Sequence, residues 1–123
     1  MTKSLWQFDP SSGGRPVPDA VRRATKAAIL AHGQRHFTNR YRELEVRFKA
    51  QFCYVDAYVE PEEPVGDESE LKLCRIRFFA PERWSLAIYS YAQERYEASV
   101  FADGGFVGLP QDGFDLAANL YLG

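Results

Sequence analysis

His32 and His36 stand four residues apart, the spacing that presents two imidazoles to one metal ion from a single helix face. The HExxH pattern needs a glutamate directly after its first histidine, and position 33 is Gly. His32 also falls on an apolar stripe, so both histidines are read as packing or capping groups and no metal site is assigned. Cys53 and Cys74 have neither CxxC spacing nor a neighbouring histidine, which points to buried free thiols. Tyr54, Asp56 and Tyr58 alternate along one stretch, ending at Glu60. A carboxyl among phenols can transfer protons if burial raises its pKa, which makes these three residues a candidate ligand pocket or enzyme centre. No nucleophile and base pair accompanies them, and no glycine-rich phosphate loop. The chain is therefore read as noncatalytic and without a cofactor.

A second set is basic and aromatic. Arg47, Lys49, Arg75 and Arg77 share one face of the first hairpin that the periodicity predicts, and Tyr89 and Tyr91 continue it on the next strand. Tyr and Arg dominate the energetics of protein interfaces, so these six residues form the candidate binding surface. The leading reading is a protein-interaction domain whose partner is another protein or a second copy forming a homodimer. Cations among aromatic rings also make stacking platforms for single-stranded nucleic acid, the first alternative. Glu43, Glu45 and Glu97 dilute the face, and cross-strand ion pairs account for the alternation without any ligand.

Composition narrows these classes. A net charge of −2 gives no global basic field, which disfavours a dedicated nucleic-acid binder. With 123 residues, 46% of them hydrophobic, the chain suits one domain with its own core. No run of about 18 apolar residues is present, and the first residues lack a signal-peptide core, so a small soluble cytoplasmic protein without membrane contact is expected.

The elements that must position these residues follow from spacing. Residues 1–16, containing DPSSGGRP, are expected to form a flexible arm, with Trp6 and Phe8 docking it on the body. Residues 17–123 are expected to form a single domain. A helix opens at Pro18 and Asp19 and runs to about residue 37, with Val21, Ala24, Ala28 and His32 as its inner stripe. Arg22, Arg23 and Lys26 crowd its first turns, where the helix dipole disfavours cations, and an anionic group is expected to compensate.

From residue 43 the period falls to two. Segments 43–59, 71–79, 84–91 and 95–102 read as strands, with a short fifth at 106–108 after an Asp103-Gly104 hairpin turn. Leu86, Ile88, Ala98 and Val100 are taken as inward-facing. Within 43–59 the apolar positions change phase near Phe52, and a matching change occurs at Leu73 and Cys74. Paired β-bulges that curve the sheet account for both, with Phe52 opposite Cys74. Phe114, Ala117, Ala118 and Tyr121 then mark a closing helix. The expected fold is α+β: a long N-terminal helix packed on a curved antiparallel meander of four to five strands, with a short C-terminal helix. Element order alone resembles cystatin-like and nuclear-transport-factor-like folds, but no motif accompanies the resemblance and fold does not assign function.

Overall fold

A computed structural model describes residues 13–60 and 69–123. Helix α1 (Asp19–His36) is followed by strands β1 (Glu43–Lys49), β2 (Phe52–Val59), β3 (Ser69–Ala80), β4 (Arg83–Ser90) and β5 (Arg95–Ser99), then by helix α2 (Pro110–Tyr121). The strands form one antiparallel sheet in chain order, β1-β2-β3-β4-β5. The α+β meander with a helix at each end is thus as the periodicities indicate.

The phase change near Phe52 is a chain reversal rather than a bulge. Lys49 pairs with Phe52 across Ala50 and Gln51, so 43–59 is a hairpin of two strands. No Gly, Asn or Pro announces this turn. Ala50 takes a φ of 53°, which glycine ordinarily supplies. Tertiary bonds hold the turn instead: Val17 N–H donates to Ala50 O at 3.1 Å, and Phe78 N–H to Gln51 O at 2.8 Å. The register expected for Phe52 fails accordingly, because Phe52 lies opposite Arg77 while Cys74 faces Val55. The second phase change is a true bulge. Val55 pairs with Cys74 and Asp56 with Lys72, leaving Leu73 as the extra residue, and Leu73 and Cys74 are both buried.

Both helices cover the same face of the sheet. A Cβ at Gly113 of α2 would meet Leu86 and Ile76, and one at Gly33 of α1 would stand 2.6 Å from Leu44 Cδ1. The core between the layers contains Ile29, Val46, Cys53, Val55, Cys74, Ile76, Phe78, Trp84, Leu86 and Phe114. The seam of α1 is Thr25, Ile29 and Gly33, one position round from the expected stripe; Ala24 is exposed. Gly33 sits on this seam because only a residue without a Cβ lets α1 approach Leu44 so closely. Phe114, Ala117 and Ala118 are fully buried from α2, as their spacing indicates.

β5 ends at Ser99, and its faces are the reverse of the sequence reading. Glu97 and Ser99 lie opposite Ile88 and Leu86 on the helix side, whereas Ala98 pairs with Ala87 on the other side and Val100 is exposed. The short strand expected at 106–108 contracts to one bridge, Gly108 to Trp84. In the turn before it Gly104 has a φ of 85° and Asp103 does not adopt a positive φ. Gly104 N–H donates to Phe101 O, so Ala102 and Asp103 are the central residues. Trp6, Phe8 and most of the acidic 60–70 connection lie outside the described residues. Arg15 N–H donates to Phe78 O at 3.0 Å. Among the described residues no helix is long and apolar enough to cross a membrane.

Candidate interaction surface

The face of the sheet opposite the helices carries the candidate binding residues. Because antiparallel partners share a face, the pairs Arg47 with Tyr54, Lys49 with Phe52, Tyr54 with Arg75, Phe52 with Arg77, and Tyr89 with Tyr96 place all of them on one side. Five of the six expected residues are brought together there: Arg47, Lys49, Arg75, Arg77 and Tyr89. Tyr91 lies one residue beyond β4, where its ring reaches that of Tyr89 and its hydroxyl does different work. Its hydroxyl donates to Lys72 O at 3.2 Å and accepts from Lys72 N–H at 2.7 Å, supplying β3 with the partners that β4 no longer offers. Phe52, Lys72 and Tyr96 join this face without being among the six residues that the sequence pattern assigns to it. Tyr96 escapes the pattern because the apolar Ala98 and Val100 suggest that its side of β5 faces inward, whereas that side faces away from the helices.

The aromatic rings form a continuous row. Ring centroids are 6.1 Å apart for Phe52 and Tyr54, 5.8 Å for Tyr54 and Tyr96, 5.0 Å for Tyr96 and Tyr89, and 4.8 Å for Tyr89 and Tyr91. Tyr54 on β2 and Tyr96 on β5 belong to strands three spacings apart, about 14 Å. Their rings therefore reach toward each other across β3 and β4, over Arg75 and Ala87, which explains why Ala87 is buried with no helix on its side. Cations lie over the rings: Arg47 over Tyr54 at 5.1 Å, Arg75 over Phe52 at 4.5 Å and Tyr96 at 5.0 Å, and Lys72 over Tyr89 at 5.0 Å. The rings meet each other at interplanar angles of 52° to 74°, edge toward face rather than laid flat.

Asp56 sits in the middle of this face with its side chain 1% exposed. Its Oδ2 accepts from Arg47 Nη2 at 2.8 Å, and Arg47 Nε is 2.9 Å from Glu45. The hydrogen bond to Asp56 holds the Arg47 guanidinium above its ordinary pKa. Asp56 Oδ1 has no hydrogen-bond partner among the described residues. Burial, then the charge of Asp56, pushes the Tyr96 phenol up. The same two causes push the Cys74 thiol up to about 12. Arg77 is buried on this face, with Nε donating to Ser85 Oγ at 3.3 Å and the guanidinium over Phe79.

No known family, curated protein or solved structure matches this chain.

The proton-transfer group of Tyr54, Asp56 and Tyr58 does share one face. Hollows of about 250 Å³ between Phe101 and Asp115 and of about 460 Å³ beside Tyr89 and Leu120 lie away from it, however, and one of about 440 Å³ reaches only Val59 and Glu60 at the end of this stretch. Asp56 lines none of these three. The histidines belong to the helix layer. His32 Nε2 is 2.7 Å from Asp115 Oδ1, tying α1 to α2, with the His36 ring 4.5 Å from that of His32. No cluster of three or more potential metal ligands occurs among the described residues. The crowded cations of α1 find neutral partners in the case of Arg22, whose Nε donates to Val17 O at 3.1 Å and whose guanidinium lies over Phe48.

Proposed function

We propose that the chain is a noncatalytic interaction domain that binds another protein through the helix-free face of its sheet. The observation that carries this reading is the row Phe52, Tyr54, Tyr96, Tyr89, with each ring under a cation of the same chain. Tyrosines held in this way offer wide contact area with little rotamer entropy left to lose, and tyrosine and arginine are the residue types that dominate interface hot spots.

The ring geometry favours a protein over single-stranded nucleic acid. Bases stack on ring faces, and here Arg47, Arg75 and Lys72 already lie over those faces. Asp56 favours binding over catalysis, since its one hydrogen-bonded oxygen is committed to Arg47. Two buried free thiols suit a reducing compartment, the cytoplasm.

The test compares partners captured by the wild-type chain with those captured by Tyr89→Ala and by Arg75→Ala, each variant first checked for native circular dichroism. A partner retained by the wild type and lost by both variants supports the reading. Partners that ignore both substitutions overturn it. So does tight binding of single-stranded RNA whose affinity falls steeply with salt, which would establish the nucleic-acid alternative.

A further inference from the structure

The sequence of β1, Glu43-Leu44-Glu45-Val46-Arg47-Phe48-Lys49, reverses its own charge about its centre. It is an edge strand: β2 pairs one side, and no described strand pairs the other. An edge of seven residues left unpaired by the described strands is a template for another strand unless charge or bulges prevent pairing. We propose that β1 pairs antiparallel with β1 of a second copy, with the two-fold axis at Val46, joining two sheets edge to edge.

Charge selects that register. With Val46 opposite Val46, Glu45 faces the second copy's Arg47 and Glu43 faces its Lys49, giving four cross-strand pairs of opposite sign. Leu44 then meets Phe48 on the helix side. A shift that centres the axis on Glu45 sets two glutamates opposite each other, and one centred on Arg47 sets two arginines opposite each other. A shift of one residue turns the helix-side positions of one copy toward the charged positions of the other. Opposite-charge cross-strand pairs stabilise and like charges destabilise, so only the Val46 register satisfies every charged position.

The side chains are in place for this. Glu43 and Lys49 are exposed and Phe48 is only partly buried. Glu45 and Arg47 make intrachain contacts on the same face. A two-fold contact uses one patch twice, as closed dimers do. It would also bring the Arg47, Lys49 and Tyr54 ends of two aromatic faces side by side. The inference therefore extends the proposed function but stands on a different surface from Tyr89.

Glu43 and Lys49 provide the test because six residues of strand, about 20 Å, separate them within one chain, so that they influence each other only through a second copy. Light scattering at micromolar concentration and low salt should give a dimer mass for the wild type. Glu43→Lys and Lys49→Glu should each raise the dissociation constant by on the order of tenfold or more. An equimolar mixture of those two variants should dimerise again, because their heterodimer restores both pairs; so should the double variant. A monomer mass throughout overturns the pairing and leaves partner capture through Tyr89 standing. Single reversals without effect, or no rescue on mixing, overturn it too. A dimer abolished by Tyr89→Ala but indifferent to Glu43→Lys moves self-association to the aromatic face and overturns the β1 pairing.

Discussion

Asp56 and Arg47 form an unequal pair. The carboxylate is 1% exposed, whereas the guanidinium is 48% exposed and can return to water when its partner is lost. Arg47→Ala strands a buried carboxylate and should destabilise the fold by about 3 kcal/mol. Asp56→Asn, which removes the charge together with the need for a cation, should cost about 1 kcal/mol. Urea denaturation of both variants checks the order, and equal losses would mean that water reaches Asp56. The thiols make a second residue-scale prediction. Burial pushes Cys74 up from 9.0 to about 12, and Cys53 and Tyr96 shift in the same direction. A group whose pKa is raised on folding stabilises the fold fully below its unfolded pKa, and that contribution is lost as pH rises toward the folded value. Stability should therefore be insensitive to these thiols up to about pH 8 and should fall between pH 9 and pH 12. Denaturant midpoints of the wild type and of Cys74→Ala across that range test it, the variant showing the shallower decline.

The β1–β2 hairpin shows what alternation can and cannot reveal about an element. Period-two spacing identified residues 43–59 as extended, and the change of phase was visible at the correct place, but a bulge and a tight turn both swap faces. Ala50 and Gln51 carry no turn chemistry of their own, because the turn is held by Val17 and Phe78, remote in sequence. The bulge at Leu73 was legible since both neighbouring apolar residues, Leu73 and Cys74, needed burial. In α1 the apolar spacing points one position away from the seam, because Thr25 and Gly33 do not register as apolar, although close packing on Leu44 demands a small residue. The left-handed conformation of Ala50 costs a non-glycine residue about 1 to 2 kcal/mol, more than the roughly 0.5 to 1 kcal/mol that glycine loses in chain entropy. Ala50→Gly should hence stabilise the protein by up to about 1 kcal/mol, opposite to the usual sign for this substitution within a strand. A lower thermal midpoint in the variant would show that the Cβ of Ala50 contributes packing that outweighs its strain.

At the scale of the molecule, one sheet serves two environments. The helix side is an apolar core, legible from the sequence because its residues alternate with polar ones. The opposite side was legible as a basic and aromatic face at Arg47, Arg75, Arg77 and Tyr89, but not as rings that meet across two strands, since that depends on which way side chains lean. Function was less legible still, because no motif fixes a chemistry and an interaction surface differs from a solvated one only by what covers it. The proposed edge pairing through β1 would add a property that neither face has alone, a dependence of stability on concentration. When a folded dimer dissociates as it unfolds, each tenfold rise in protein concentration stabilises it by about 1.4 kcal/mol per mole of dimer. The wild type should accordingly melt at a higher temperature at high protein concentration than at low. Glu43→Lys should reach a given melting temperature only at a concentration at least about tenfold higher, because the introduced lysine then opposes Lys49 at both ends of the paired strands and weakens the dimer. Scanning calorimetry of the two proteins over a hundredfold range of concentration separates these outcomes. A concentration dependence in Glu43→Lys that coincides with that of the wild type would place the self-contact away from β1.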